Sequence, residues 1–400
     1  MKVLIIYHCG LAEDAKSIFQ EYVRQGINLE VIVPSKIFVP ENESPSGYLC
    51  YDKELDKNSY SFIPVDLRKP ESYGEGFKFF QLFKAIKKAQ PDIIHVIDEF
   101  SSFYLAQTLL CRDILYARKV PVLAYAAQNM SLELFKSPPF VLEFSLRFFK
   151  RILRKILHPL IFFYHKKRLD GFTGTNKQAL ENIKALGVNI PNDLIYWGLD
   201  FDIFHFQDRN SAREKIGLAK DIKLIGYFGR IVKEKGLDKL VEALSQLNDY
   251  HLMIIGNGKY EQELNKKIDS LGIRNKVYQY NTISHNKLPD YYSCLDVFVL
   301  PTQTTPDCLE QYGRVLVEAM ACQAAIVGSS SGAIPKLLNG YAKHLIFQED
   351  QISDLISKIR QVRNLEFPPG FDLNNFLRKF SRENFVEKHI KFYGKLRNKQ

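Results

Sequence analysis

Two carboxylates, Glu310 and Glu318, stand eight positions apart with Gly313 between them, where an amphipathic run of Val315, Leu316, Ala319 and Met320 begins. A helix starting near Gly313 would direct its free backbone N–H groups and the positive end of its dipole at anything anionic in the preceding loop. Glu310 would lie beside that end. From Gly313 to Glu318 the axial rise is roughly 7–8 Å at about 1.5 Å per residue, so the two carboxylates can flank an anion from opposite sides. A diphosphate with a hydroxyl-rich group at each end suits that spacing.

A diphosphate needs more cation than one helix end supplies, and the chain offers it earlier. Residues 222–244, IKLIGYFGRIVKEKGLDKLVEAL, read as a buried strand, a turn containing glycine, and a helix. Arg230 follows Gly229 just past the strand, and Lys235 precedes Gly236 at the helix start. Cations at the carboxyl end of such a strand stand where open α/β sheets take their ligands.

Four stretches in this order, GRIVKEKG at 229–236, GNGKYEQEL at 256–264, LDVFVLPT at 295–302 and EQYGRVLVE at 310–318, together resemble the retaining, family-4-type nucleotide-sugar glycosyltransferases of the GT-B fold. The resemblance covers about residues 200–340 well and the rest more loosely. It implies an α/β protein of two Rossmann-like, doubly wound parallel-sheet domains facing each other across a cleft. Residues 1–199 would form the acceptor domain, with a last helix in 380–400 packing back on it, and 200–379 the donor domain.

By that resemblance the donor is a nucleotide-diphosphate sugar, with neither metal nor other cofactor required. Arg230, Lys235 and Glu310 would be catalytic. Gly229, Gly256, Gly258, Tyr312, Gly313, Arg314, Val315 and Glu318 would complete the donor site, Glu318 taking the ribose hydroxyls and Glu310 those of the donor hexose. Retention without an enzymic nucleophile fits front-face substitution, in which the departing phosphate takes the acceptor's proton. The acceptor would be lipid-linked or a polysaccharide. A GT-B epimerase, a transferase with a soluble acceptor, and a weakened, non-catalytic partner subunit stand as alternatives. The family usually shows Gly-x-Pro where this chain has Gln323, Ala324 and Ala325.

Upstream, Lys2–His8 is a continuous apolar run of parallel-strand type, followed by Gly10 and a helical stretch ending at Gly26. Gly10 fits a phosphate or acceptor contact by resemblance, and fits a plain turn as well. The strand at 92–98 exits into Asp98 and Glu99. These suit an acceptor hydroxyl, or a solvated strand end and the cap of a helix starting near Ser102. Gln128 and Asn129 follow the next strand, where many relatives carry a histidine facing the sugar. Amides there can hydrogen-bond hydroxyls but cannot exchange protons.

The formal charge of +10 is local in origin: Glu143 to Arg168 holds eight Lys/Arg against one acidic residue. Residues 141–168 join that basic face to Leu, Ile and Phe, which suits an anionic membrane surface and equally an ordinary domain helix with solvated charges. No stacking platform or groove-reading motif accompanies the charge, so nucleic acid is not expected. Asp200-Phe201-Asp202 spells a D-x-D, which in a different glycosyltransferase fold binds a divalent metal. The six cysteines form neither a CxxC pair nor a cluster with histidine, as expected of reduced thiols in a cytoplasmic protein. No apolar run reaches 18 residues, so the expected placement is cytoplasmic or peripheral at the inner face of the membrane.

Overall fold

The computed structural model describes residues 1–38, 48–54, 59–71, 75–127, 160–306, 308–341, 345–362 and 371–398. Gln128, Asn129 and most of the basic stretch, 141–159, lie outside the described residues. The chain divides into one unit of Met1–Tyr196 with Phe385–Gln400 and a second of Trp197–Asn384.

In the first unit, short apolar runs become buried parallel strands because helices cover such sheets on both faces. The strands are β1 (Lys2–Ile6), β2 (Asn28–Pro34), β5 (Ser61–Val65), β6 (Ile93–Val96), β7 (Val122–Ala126), β8 (Gly171–Gly174) and β9 (Asn192–Leu194), in the order β5-β2-β1-β6-β7-β8-β9. All neighbouring pairs are parallel. A separate antiparallel hairpin, β3 (Lys36–Phe38) with β4 (Tyr48–Cys50), forms inside a region that reads from sequence as loops around a single strand. The sheet grows outward in both directions from β1 and β6, so the crevice between their carboxyl ends is a topological switch point.

The second unit repeats the plan with β10 (Lys223–Phe228), β11 (Tyr250–Ile255), β12 (Val277–Tyr280), β13 (Val297–Leu300), β14 (Ala325–Ser329) and β15 (Ile346–Phe347). Their order, β12-β11-β10-β13-β14-β15, is all parallel and places the switch point between β10 and β13. These are two doubly wound, Rossmann-like α/β units. Residues 366–375 read from sequence as a chain breaker, yet a short helix, Leu373–Arg378, begins inside that stretch. Asp372 caps that helix by accepting from Asn375 N at 3.0 Å.

The last helix, Arg382–Arg397, starts at a Ser381 cap that accepts from Asn384 N. From Phe385 onward it belongs to the first unit, burying Phe385, Val386, His389, Phe392, Tyr393 and Leu396. The apolar spacing suggests Ile390 on that face; it is only half-buried, and His389 takes the place. A polar network links the buried groups. His389 Nδ1 donates to Phe385 O at 2.9 Å, the Thr173 hydroxyl lies 3.1 Å from its Nε2, and His95 Nδ1, Tyr393 and Tyr22 form a chain at 2.8 and 3.0 Å. Burial pushes His389 down to about 3 and His95 well below its ordinary value. Among the described residues no helix is long and apolar enough to cross a membrane.

Candidate active site

The carboxyl ends of β10, β11 and β13 meet through glycines. A Cβ on Gly256 (φ +139°) would lie 2.0 Å from Gly229 O, and one on Gly236 (φ +67°) 2.1 Å from Pro301 O. No other residue permits backbones to approach so closely. The β10 exit, containing Gly229 and Arg230, is thereby pressed against the β11 exit, which holds Gly256 and Gly258. Gly229 N donates to Ile255 O and Ile231 N to Asn257 O, both at 2.9 Å. Gly236 brings the Lys233–Lys235 turn against the loop leaving β13.

Lys235 Nζ reaches Glu310 Oε2 at 2.6 Å. The same oxygen accepts from Thr302 Oγ1 at 2.8 Å, while Oε1 accepts from Gly313 N at 3.2 Å. Gly313, left-handed at φ +74°, precedes the helix Arg314–Ala321. Glu310 is 8% exposed, and its own carbonyl accepts from Ala333 N at 2.9 Å. The structure therefore brings Lys235, Glu310, Gly313 and the first helical turn, with Arg314 and Val315, together at one switch point. Here Glu310 itself meets both the ammonium and a helix-tip N–H, where the spacing suggested that these faced only an anion.

Arg230 is exposed, with its backbone fixed by the Tyr227 hydroxyl donating to Arg230 O at 2.8 Å. Burial, and then Glu310, push the Tyr227 hydroxyl up, and Arg230 opposes them. Cys308 is also pushed up by burial, opposed by Lys235 and by Arg230. Tyr227 thus feels Glu310 together with Arg230, and Cys308 feels both cations.

Glu318 lies one face along the helix and is 3% exposed. It accepts from Arg314 Nε and from the Tyr292 hydroxyl, both at 2.7 Å, and His285 Nε2 stands 3.5 Å from it. Burial alone would push this carboxyl up; Arg314 and His285 outweigh it and hold it at about 2. An ionised carboxylate offers about four acceptor positions, so Glu318 can still accept from a ligand hydroxyl. His285 escaped the sequence reading because a single histidine in a turn carries no spacing signal. Tyr312 donates its hydroxyl to Trp197 O at 3.0 Å.

In the first unit, Gly10 is a packing glycine: a Cβ there would lie 2.8 Å from Val33 Cγ1. Asp98 and Glu99 leave β6 in different directions. Glu99 Oε1 accepts from Ala127 N at 3.0 Å, tying the β6 exit to the β7 exit. Asp98 Oδ2 faces His8 Nδ1 at 3.9 Å across the switch point. The helix cap is Ser102 itself, which accepts from Leu105 N at 3.2 Å. Asp200 and Asp202 of the D-x-D both engage Arg382. That guanidinium occupies the pair where the motif elsewhere holds a cation.

Residues 208–383 match the family model for glycosyl transferases group 1. Among curated proteins, the lipopolysaccharide core biosynthesis mannosyltransferase LpsB of Rhizobium meliloti is 26% identical over 48% of this chain and 54% of its own length. The D-inositol 3-phosphate glycosyltransferase of Mycolicibacterium smegmatis is 28% identical over 44% of this chain and 40% of its own. The chain thus spans about half the length of the curated relatives it matches, or less. Among solved structures, a sucrose-phosphate synthase from Thermosynechococcus elongatus covers both chains fully at a TM-score of 0.71 and 16% identity. HepE from Anabaena, in complex with UDP and glucose, covers 99% of this chain and 100% of its own at 0.70 and 15%. These structural likenesses concern the fold alone. The sequence match over 208–383 is to glycosyl transferases group 1, and the fold shared along the whole chain is the GT-B fold.

Proposed function

We propose that this protein is a retaining glycosyltransferase that moves a hexose-type sugar from a nucleotide-diphosphate donor to a hydroxyl of a lipid-linked or polysaccharide acceptor, without a metal. The observation that carries the reading is the convergence of Lys235 and Glu310 on the tip of the helix Arg314–Ala321, at the β10–β13 switch point. A relative named for lipopolysaccharide core biosynthesis supports the acceptor class, whereas one named for D-inositol 3-phosphate glycosylation favours a soluble acceptor.

The donor pyrophosphate takes the place that Glu310 now fills at Lys235. The ammonium, the Arg230 guanidinium and the N–H groups of Gly313, Arg314 and Val315 then meet the negative charge that grows as the phosphate departs. Glu310, released from Lys235, accepts from hexose hydroxyls, and Glu318 from the ribose. Gly229, Gly256 and Gly258 let backbone approach the nucleotide. The departing phosphate oxygen takes the acceptor proton on the face it leaves, which retains the anomeric configuration. Asp98 and Glu99 serve the acceptor side. The helical residues 160–168, with Leu160 and Phe163 exposed beside Lys166, Lys167 and Arg168, suit contact with an anionic membrane surface.

The test is hydrolysis or transfer of radiolabelled UDP-glucose and GDP-mannose, comparing the wild type with Lys235→Ala and Glu310→Ala. A fall of about a hundredfold or more in each variant is expected from losing a positioned charge. Equal rates in all three proteins would remove the site.

A further inference from the structure

The second switch point, in the first unit, holds a pair that the donor chemistry does not use. β1 and β6 run in register to Ile6 opposite Val96, and each strand delivers its next chemical group two residues later: His8 from one, Asp98 from the other. The His8 ring is pinned, stacked on Tyr104 at 5.5 Å between centroids and edge-on to Tyr7 at 5.7 Å. Its Nδ1 points to Asp98 Oδ2 at 3.9 Å, too far for a hydrogen bond. Asp98 is held in turn by Glu99 N at 2.8 Å. The side chains of His8 and Asp98 are 22% and 14% exposed, so the pair is not sealed into the core.

We propose that His8, oriented by Asp98, binds a hydroxyl of a neutral polyol at the carboxyl ends of β1 and β6. Nε2, across Cε1 from the nitrogen facing Asp98, is the atom assigned to that hydroxyl. With the Nδ1 proton facing Asp98, a neutral imidazole leaves Nε2 as an acceptor, which matches the O–H of an alcohol and offers nothing to an ionised phosphate oxygen. Ligands of open α/β sheets gather at such crevices, and the 3.9 Å gap belongs to a contact that tightens when a ligand arrives. Burial pulls His8 down and Asp98 up, which moves both members of the pair toward their neutral forms. That the polyol is the sugar acceptor rests on the transferase reading above; that His8 binds a polyol does not.

The experiment is a titration of the full chain, labelled with 15N in its nine histidine imidazoles, with myo-inositol, methyl α-D-mannopyranoside and sodium phosphate. His8→Asn assigns the His8 signals. The expected result is a saturable shift of the His8 nitrogens with at least one polyol and none with phosphate, weakened about tenfold in Asp98→Asn. Unmoved His8 signals with both polyols, or a shift with phosphate alone, would overturn the proposal. Nucleotide-induced thermal stabilisation of His8→Asn is read in parallel. Its retention leaves the donor site intact whatever the imidazole signals show, and its absence in the wild type counts against the transferase reading alone.

Discussion

Lys235 and Glu310, 75 positions apart in the chain, meet at 2.6 Å, so the ammonium proposed to meet the donor phosphate is held by a carboxylate. The pair keeps a cation desolvated and oriented at the helix tip without leaving it unpaired. Replacing Lys235 by Met removes the cation from a largely buried Glu310 that keeps Thr302 and Gly313 among its donors. A loss of about 1–3 kcal/mol in urea unfolding is expected, partly restored by adding Glu310→Gln. No loss in the single variant would mean that the pair contributes nothing to the resting fold.

Glu318 titrates at about 2 in the folded chain against 4.5 in the unfolded one. The unfolded chain binds the proton first as pH falls, so this contribution is complete above about pH 4.5 and is lost between there and pH 2. Urea midpoints measured across that interval should fall more steeply for the wild type than for Glu318→Gln. Parallel curves would place the acid sensitivity elsewhere.

The buried His95–His389 network predicts a separate acid response that begins at higher pH. His389 titrates at about 3 folded against 6.5 unfolded, so the unfolded chain binds more protons throughout that range. Stability is complete above about pH 6.5 and declines below it. His389→Gln should reduce the slope of Tm against pH between 6.5 and 5, and an unchanged slope would contradict the assignment.

Gln323 follows the helix Arg314–Ala321 with φ +58°. Its N–H bonds Met320 O, and Ala324 N bonds Ala319 O, both at 3.0 Å. This is a left-handed helix terminus of the kind glycine usually fills. The substitution of Gly by Gln therefore touches backbone strain rather than donor contacts. Gln323→Gly should stabilise by about 0.5–1 kcal/mol, raising Tm by roughly 1–4 °C, with nucleotide affinity unchanged. A lowered Tm would contradict this.

Both sheets were legible because their strands are buried on two faces and read as continuous apolar runs between glycines, as Lys223–Phe228 and Val297–Leu300 do. The grouping of Glu310, Gly313 and Glu318 was legible because the three share one helix start, where local spacing becomes geometry. What the sequence concealed was set by long-range packing. His8 meets Asp98 only because β1 and β6 are neighbours, and Glu318 recruits Tyr292 and His285 from other elements. The two- and three-residue strands β15 and β9 are too short to show a period. The tie of the D-x-D to Arg382 could not be read from spacing, because that partner lies some 180 residues away.

The central claim is that Arg230, Lys235 and the tip of the helix Arg314–Ala321 hold a pyrophosphate. Calorimetric titration of UDP and GDP into the wild type and into Arg230→Ala with Lys235→Ala tests it most directly. The account predicts saturable binding of one nucleotide by the wild type and an affinity at least a hundredfold weaker, about 2.7 kcal/mol, in the double variant. Equal affinities, or no binding of either nucleotide to the wild type, would contradict it.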